Sequence, residues 1–217
     1  MVISHITLEH KGGFYLYRLH NPKISSLCQN GLGALKKFLY DSFEKRPDEY
    51  FNNGGPRSSS LKFGLPTDLL EIRNHEVASL AKNGLRENCE RFKTNHSKVQ
   101  LFMLENDANT LAVEVPIWLE PDELEQYKEI FDCEDPLTGH IDVLRVEGDN
   151  IWVWDYKPSA CKEKYAATQT YFYALMLSRR TGIPLSKFRC GYFDDKNTYV
   201  FRPHESFLST VDLLKFI

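Results

Sequence analysis

The amino-acid sequence predicts a mixed α/β fold in which helices flank a central β-sheet. The first observation is the order of segments after an N-terminal elaboration, which reads α–β–β–β–α–β. The second is a hairpin at residues 139–158 whose strands carry apolar side chains on both faces, as expected for central strands. With 217 residues, of which 42% are hydrophobic, the chain is long enough to bury a substantial core.

Residues 1–66 are expected to form the N-terminal elaboration. The alternating polarity of residues 1–20 predicts a hairpin that turns at a Gly-Gly pair. Apolar residues recur at helical spacing over 31–45, which predicts a helix. Residues 51–68 are rich in Gly, Ser, Pro and Asn, which indicates a long, mobile surface loop.

Residues 67–217 are expected to form the α/β core. Turn residues separate its apolar segments, and EGDN and DDKN are the turns of two hairpins. The predicted elements are a helix over 67–94 broken near Gly84, strands at 99–105 and 110–120, a helix from Asp122, the hairpin 139–158, a helix over 161–181, a hairpin over 187–202, and a short helix after His204.

Composition excludes several classes of protein. A net charge of −3 argues against a simple basic nucleic-acid binder, although residues 1–100 carry 15 basic and 10 acidic residues and the remainder carries the acidic excess. The apolar runs are too short to span a bilayer, so no membrane association is expected. Five widely spaced cysteines without a CxxC pair indicate reduced thiols and a cytoplasmic protein.

The hairpin 139–158 carries ionisable residues at one end of one face. Its EGDN turn sets a register in which Asp142 faces Asp155 and His140 faces Lys157. Alternate residues of a strand share a face, so these four side chains cluster beyond an apolar stretch. The register therefore predicts a polar site at the end of a central hairpin.

Two opposed aspartates on a half-buried face repel each other. Either one carboxyl group holds a proton or a cation lies between them, and carboxylate oxygens suit Mg²⁺ or Mn²⁺. Lys157, on the same face as Asp155, can then orient a nucleophile and stabilise charge on a phosphate. The alternative is a structural ion pair between Asp155 and Lys157.

Three further polar residues favour a functional site. Glu114 is a lone carboxylate within the apolar strand LAVEVPIWL, where an unpaired charge is costly unless it faces solvent. Gln169 and Tyr173 lie four residues apart on the helix that follows the hairpin, so they share a face. Packing alone is the alternative explanation for this pair.

Together these residues resemble the PD-(D/E)xK nuclease superfamily, and within it the RecB-like and Cas4-like branch. The resemblance covers about residues 110–202 and implies a restriction-endonuclease-like αβββαβ core. The motifs that carry it are VEVPIWL with Glu114, GHID with Asp142, WDYK with Asp155 and Lys157, and QTYFY with Gln169 and Tyr173.

The resemblance implies a role for each matching residue. Asp142, Asp155 and the carbonyl of Tyr156 would bind the metal, and Lys157 would be the catalytic lysine. Glu114, Gln169 and Tyr173 would complete the catalytic site. This branch often adds a histidine from an upstream helix, for which His75 is the first candidate and His96 the second, although the usual glycine before it is missing. With a single cysteine after the 161–181 helix, no iron–sulfur cluster is expected.

The predicted function is therefore a nuclease that hydrolyses DNA with Mg²⁺ or Mn²⁺, most simply an exonuclease acting on single strands or duplex ends. Arg57 and Lys62, in the loop 51–68, are the candidate strand contacts. Partners in DNA repair, recombination or defence fit such an enzyme. The alternatives are a non-catalytic nucleic-acid-binding or assembly subunit with the same fold, and a restriction-type endonuclease.

Overall fold

The computed structural model describes residues 1–11 and 13–209 of the chain. Gly12 of the predicted Gly-Gly turn and the last eight residues of the predicted C-terminal helix lie outside this range. The strands are β1 (Ile3–His10), β2 (Gly13–His20), β3 (Leu70–Glu71), β4 (Thr110–Leu119), β5 (Leu137–Glu147), β6 (Asn150–Tyr156), β7 (Phe188–Phe193) and β8 (Thr198–Phe201).

The helices are interspersed with these strands. They are α1 (Asn21–Leu27), α2 (Gly33–Glu44), α3 (Asp48–Asn52), α4 (Glu76–Glu87), α5 (Asn95–Asn106), α6 (Tyr127–Phe131), α7 (Ala166–Thr181) and α8 (Ser206–Ser209). Short 3₁₀ turns occur at 58–60, 121–123, 160–162 and 185–187.

The described strands form one eight-stranded sheet in the order β1-β2-β4-β5-β6-β7-β8-β3. All neighbours are antiparallel except β6 and β7, which run parallel and are connected through α7. A parallel pair needs a long crossover connection, and the apolar helix α7 supplies it while covering one face of the sheet. This arrangement confirms the predicted mixed α/β fold with flanking helices.

Two apolar layers lie on opposite faces of the hairpin β5–β6. Leu144 and Val153 pack in the layer that contains α7, whereas Val143 and Trp154 pack in the layer that contains α4 and α5. The alternation of side chains along a strand explains this division. The central position predicted for the hairpin is thereby confirmed.

The N-terminal hairpin belongs to the same sheet as the α/β core. Strand β2 pairs with β4 through Arg18–Val113 and Leu19–Ala112. The loop after α3 is held against β5, because Thr138 N–H donates to Pro56 O at 3.0 Å and Ser58 Oγ donates to Thr138 O at 3.0 Å. One sheet therefore contains strands from both sides of the boundary predicted at residue 66. The N-terminal region contacts the start of β5, close to the polar residues.

The strand predicted at residues 99–105 is wrong, because this segment lies in helix α5. Thr94 caps the helix by accepting a hydrogen bond from Ser97 N–H at 3.1 Å. Residues 99–104 are all buried, so the burial extends around the whole circumference of the helix and the segment lacks the amphipathic spacing that identifies surface helices.

The helix predicted over 67–94 is too long, since α4 covers only Glu76–Glu87 and residues 70–71 form the edge strand β3. Gly84 does not break the helix. A Cβ atom there would lie 2.9 Å from Phe102 Cβ, so glycine allows α4 and α5 to approach closely.

Other predicted boundaries shift by a few residues. The acidic segment forms a 3₁₀ turn and the short helix α6 rather than a helix that begins at Asp122. Helix α7 begins at Ala166, after a 3₁₀ turn over 160–162. The β7–β8 hairpin forms as predicted, with its turn at 194–197. None of the helices in the described part of the chain is long and apolar enough to cross a membrane.

Candidate active site

The hairpin β5–β6 has the register that its turn predicts. Val143 pairs with Trp154 and Glu147 with Asn150, which places Asp142 opposite Asp155. Asp142 Oδ2 accepts a hydrogen bond from the backbone N–H of Tyr156 at 2.9 Å. The Asp142 carboxylate therefore lies directly beside the end of β6.

Asp155, Lys157 and Gln169 form a connected polar network. Asp155 Oδ1 accepts a hydrogen bond from Gln169 Nε2 at 2.9 Å, and Lys157 Nζ donates to Gln169 Oε1 at 2.9 Å. Lys157 Nζ also lies 2.7 Å from Asp155 Oδ2. Gln169 Nε2 donates in addition to Tyr173 OH at 2.8 Å, so the hydroxyl hydrogen of Tyr173 remains available to another acceptor.

Gly139 explains how the Tyr173 ring reaches this network. A Cβ atom at residue 139 would lie 2.3 Å from Tyr173 Cε1, which is a prohibitive overlap. Glycine at this position of the GHID motif therefore lets α7 place Tyr173 directly over β5.

Glu114 points into the same region because the backbone of β4 is distorted there. Its φ of 53° lies in the left-handed region, which is unusual for a non-glycine residue within a strand. The flanking pairs Val113–Val143 and Val115–Ile141 place Glu114 opposite Asp142. The buried side chain of Gln100 donates to Glu114 Oε1 at 2.7 Å, so α5 holds this carboxylate in place.

His96, not His75, is the histidine near the carboxylates. His96 Nε2 lies 3.8 Å from Asp142 Oδ2. His75 instead caps α4, accepting a hydrogen bond from Val77 N–H at 3.2 Å, and its ring lies 5.4 Å from that of Trp154 in the opposite apolar layer. The structure therefore does not bring His75 to the predicted metal site.

The polar residues at the ends of β5 and β6, together with His96, line a cleft of about 340 Å³. Arg57 reaches it, with its guanidinium donating to Tyr15 OH at 2.6 Å and to Lys11 O at 2.5 Å. Lys62 lies outside the lining, with its ammonium group 5.8 Å from the centre of the Tyr165 ring. The complete lining is Tyr15, Arg57, Ser59, Thr94, His96, Glu114, His140, Asp142, Asp155, Lys157, Gln169 and Tyr173.

Crowding and burial raise the pKa of two carboxyl groups in the cleft. Burial, reinforced by Asp142, raises the pKa of Glu114 to about 8. Burial also raises the pKa of Asp155 to about 6, although Lys157 opposes this shift. The pKa of Lys157 is raised because Asp155 and Asp142 together outweigh the effect of its burial.

The donor set in the cleft fits a hard divalent cation. No group of three His, Cys, Asp or Glu side chains among residues 1–11 and 13–209 is arranged tightly enough to coordinate an ion as it stands. Asp155 Oδ2 is nevertheless buried and accepts no hydrogen bond from the described residues. The Lys157 ammonium group lies close to it, but not in the direction that a hydrogen bond requires. Carboxylate oxygens from Asp142 and Asp155 are ligands that Mg²⁺ and Mn²⁺ prefer.

His96 was predicted only as the second histidine candidate, and Gln100 and several lining residues were not predicted. Gln100 and His96 lie four residues apart on α5, so a correct assignment of that helix identifies them as one face. Tyr15, Ser59 and Thr94 carry no local signal, because their position depends on how the N-terminal hairpin and loop pack against the core. The ionisable character of His140 was recognised, but its packing against Tyr15 was not.

The fold and this carboxylate–lysine cleft match the pattern of one nuclease superfamily. The family model of the PD-(D/E)XK nuclease superfamily matches residues 66–207, which is more than half of the chain. The chain therefore belongs to the PD-(D/E)XK nuclease superfamily, whose members act on nucleic acids and generally use divalent metals such as Mg²⁺. A comparison with curated proteins found no match.

Proposed function

We propose that this protein is a DNA nuclease of the RecB-like and Cas4-like branch that hydrolyses phosphodiester bonds with Mg²⁺ or Mn²⁺. The observation that carries the proposal is the convergence of Asp142, Asp155 and Lys157 at one end of a buried hairpin, beside Glu114. A structural ion pair would need only one of these carboxylates. The surplus of buried acidic groups in an open cleft favours a catalytic site.

The cation would be held by Asp142, Asp155 and the backbone carbonyl of Tyr156, with His96 rather than His75 as the histidine nearest to it. When bound, a divalent cation neutralises charge on the phosphate and lowers the pKa of a bound water. The Asp142 carboxylate is already oriented by the N–H of Tyr156, so this proposed ligand is held in place before a cation binds.

Lys157 is the residue that acts on the reacting groups. Its ammonium group is positioned by Asp155 and Gln169, and the raised pKa keeps it charged at neutral pH. A charged donor at this position stabilises negative charge on the phosphate and orients the attacking water. Tyr173, whose oxygen already accepts a hydrogen bond from Gln169, can donate its hydroxyl hydrogen to a phosphate oxygen.

Arg57 and Lys62 are proposed to contact the strand outside the reacting bond. Arg57 lines the cleft, so its guanidinium is available to the phosphate beside the cleaved bond. Lys62 lies further out, over the Tyr165 ring, and would contribute a weaker, screened attraction to the backbone. The small cleft, walled by Tyr15 and Arg57, favours an exonuclease that receives a strand end.

The cellular setting is part of the same proposal. An enzyme of this kind would act in DNA repair, recombination or defence, together with protein partners. We place it in the cytoplasm because all five cysteines are free thiols, as expected in a reducing compartment.

A digestion panel with labelled oligonucleotides tests the proposal. Linear single strands, duplexes with blunt ends and circular single strands are incubated with Mg²⁺, Mn²⁺ or EDTA. We expect linear DNA to be cleaved with either metal, circular DNA to be spared, and EDTA to abolish cleavage. Cleavage of circles would indicate an endonuclease, and undiminished cleavage in EDTA would contradict a metal-dependent site.

Lys157→Ala is the matching variant, with Lys82→Ala on the exposed surface of α4 as its control. Loss of one charged donor at the reacting phosphate is expected to lower turnover by about 10²–10³-fold. DNA binding should persist in Lys157→Ala, and Lys82→Ala should cleave like the wild type. Undiminished turnover in Lys157→Ala would make Lys157 a structural partner of Asp155.

A further inference from the structure

Two buried histidines join the N-terminal region to the cleft. His10, at the end of β1, and His140, on β5, are in contact through His10 Nδ1 and His140 Nε2, which lie 2.8 Å apart. The other nitrogen of His10, Nε2, lies 3.0 Å from Asp48 Oδ1 at the start of α3. Both imidazole side chains are almost completely buried, and that of His140 also lines the cleft.

Aromatic neighbours hold both imidazole rings in one orientation. The His140 ring stacks on Tyr15, with centroids 3.8 Å apart and planes inclined by 5°. The His10 ring stacks on Phe51 at 4.2 Å and 15°. Rotating either ring by 180° would keep its stacking contact but break the hydrogen bond between the two histidines. The contacts therefore favour a single orientation of each ring.

The order of hydrogen bonds assigns the protons. The Asp48 carboxylate, which is paired with Arg46 at 2.8 Å, can only accept, so His10 Nε2 must carry the hydrogen of that bond. Both imidazole rings are buried, and the Asp48 carboxylate is already paired with Arg46, so the neutral form of each ring is the less costly one. His10 Nδ1 then has a lone pair and His140 Nε2 carries the hydrogen, which leaves a lone pair on His140 Nδ1.

This lone pair lacks a partner. His140 Nδ1 is buried and has no hydrogen-bond partner in the part of the chain that the structure describes. A buried acceptor without a donor costs free energy, unless a ligand or an ordered water supplies the donor. We propose that His140 Nδ1 accepts a hydrogen bond from an O–H group in the loaded cleft, and that His10 and Asp48 fix the tautomer that makes this possible.

The proposal rests on the proposed nuclease function and adds a specific recognition step to it. The oxygens of a phosphodiester are acceptors, so they cannot satisfy a lone pair on His140. Arg57, the nearby cation, donates to Tyr15 and to the carbonyl of Lys11, and none of its N–H groups makes a hydrogen bond to His140 Nδ1. Water in the cleft and the sugar of the nucleic acid both carry hydroxyl hydrogens beside the phosphodiester, so the proposed donor is one of these two hydroxyls.

The tautomers can be measured directly, without reference to cleavage. In protein labelled with ¹⁵N-histidine, two-bond ¹H–¹⁵N correlation spectra distinguish the protonated nitrogen of a neutral imidazole from the unprotonated one. We expect His10 and His140 both to carry hydrogen on Nε2 at pH 7.5. Hydrogen on Nδ1 of His140, or a doubly protonated ring, would overturn the proposal while leaving the nuclease function untouched.

Two substitutions separate the nitrogens of His140 functionally. His140→Asn places an amide oxygen near the position of Nδ1, whereas His140→Gln reaches the position of Nε2 and keeps a donor for His10. We expect His140→Gln to lose about tenfold in turnover and His140→Asn to lose clearly less. His5→Asn and His5→Gln, at an exposed position of β1, are the matched controls and should cleave like the wild type.

The substrate identifies the source of the hydroxyl. The variants are compared on a DNA strand, an RNA strand of the same sequence, and a DNA strand whose 3′ end lacks a hydroxyl. An equal loss in His140→Gln on every cleaved strand assigns the donor to water, and a loss confined to strands with one sugar hydroxyl assigns it to that group. If His140→Gln and His140→Asn have equal activity and both melt at the temperature of the wild type, the proposal about His140 is overturned. If the wild type itself cleaves none of the strands, the proposed nuclease function is overturned too.

Discussion

Two clusters of buried charge, each of which includes at least one residue of β5, contain the same number of charges of each sign in opposite arrangements. In one, Arg145 contacts the carboxylates of Glu76, Asp107 and Glu147, with distances of 2.8 Å to Asp107 and 2.7 Å to Glu147. In the other, Lys157 lies among Glu114, Asp142 and Asp155 in the cleft. Each cluster combines one cation with three carboxylates, so the formal charge does not distinguish them.

The difference lies in which charge is buried. The Arg145 side chain is completely buried, whereas the side chains of Glu76 and Glu147 are 58% and 33% exposed and water can solvate their charge. In the cleft the order is reversed, since the side chain of Asp155 is 2% exposed and that of Lys157 is 20% exposed. A buried cation that contacts two solvated carboxylates and only one buried carboxylate, Asp107, is neutralised, but several buried carboxylates beside a peripheral cation are not.

The pKa shifts follow this difference. The pKa of Asp107 is lowered, because hydrogen bonds from Arg145 and Thr110 outweigh the effect of burial. The pKa values of Glu114 and Asp155 are raised by the same kind of burial. The carboxylates of the structural cluster are thus solvated or hydrogen-bonded to Arg145, whereas the cleft is short of positive charge that a divalent cation can supply.

The largest effect is expected from Asp142→Asn. This substitution removes a proposed metal ligand, so cleavage should fall by about 10³-fold or more. Its side-chain oxygen can still accept the N–H of Tyr156, and the repulsion with Asp155 disappears, so the melting temperature should stay the same or rise. A large fall in melting temperature would place Asp142 with the structural cluster instead.

Arg145→Met should have the reverse effect. Removing the buried cation leaves Asp107 without its main partner, and the free energy of unfolding should fall by about 3–5 kcal/mol. Turnover per folded molecule should be unchanged below the melting transition. Arg86→Met, which removes an exposed ion pair with Glu87, is the control and should cost less than about 1 kcal/mol.

The pH dependence of stability should differ in sign between the clusters. Glu114 has a folded-state pKa of about 8, above its unfolded value, so its contribution to stability is greatest at low pH and is lost as pH rises toward 8. The stability advantage of Glu114→Gln over the wild type should therefore grow between about pH 4.5 and 8, to on the order of a few kcal/mol.

Asp107→Asn is the matched control for this titration. The pKa of Asp107 is lowered in the folded state, so the wild type should be more stable than the variant at neutral pH. That advantage should disappear as pH falls below the ordinary range of an aspartate. Parallel curves for Glu114→Gln and Asp107→Asn in chemical denaturation would remove the distinction between the two clusters.

The smallest effect is expected from Gln169→Ala. Gln169 orients Asp155 and Lys157 without touching the reacting groups itself, so turnover should fall by about tenfold with little change in melting temperature. Thr170→Val, on the same helix, removes a hydroxyl that donates to the helix carbonyls of Ala166 and Ala167, and this variant should keep full activity. Equal proportional losses of stability and activity in Gln169→Ala would mean that the residue serves packing.

The centre of the site could be predicted because it depends on local signals. The EGDN turn sets the register that brings Asp142 opposite Asp155, and helical spacing puts Gln169 and Tyr173 on one face. The short connection after Lys157 then brings that helix back to the hairpin. Each of these steps involves residues close in the sequence.

The periphery could not be predicted because it depends on packing between distant segments. Helix α5 is buried around its circumference, which concealed both the helix and the face that carries His96 and Gln100. Tyr15 reaches the cleft because β2 pairs with β4 and the Tyr15 ring stacks on His140 of β5. No local pattern encodes such a pairing between strands about 90 residues apart.

Calorimetric titration with Mn²⁺ at pH 7.5, in the absence of nucleic acid, tests the central claim most directly. The wild type and Arg145→Met should bind Mn²⁺ with the same affinity, because the Arg145 cluster is not a metal site. Asp142→Asn and Asp155→Asn should each bind at least about tenfold more weakly. Equal Mn²⁺ binding by the wild type and both aspartate variants would contradict a metal site in the cleft.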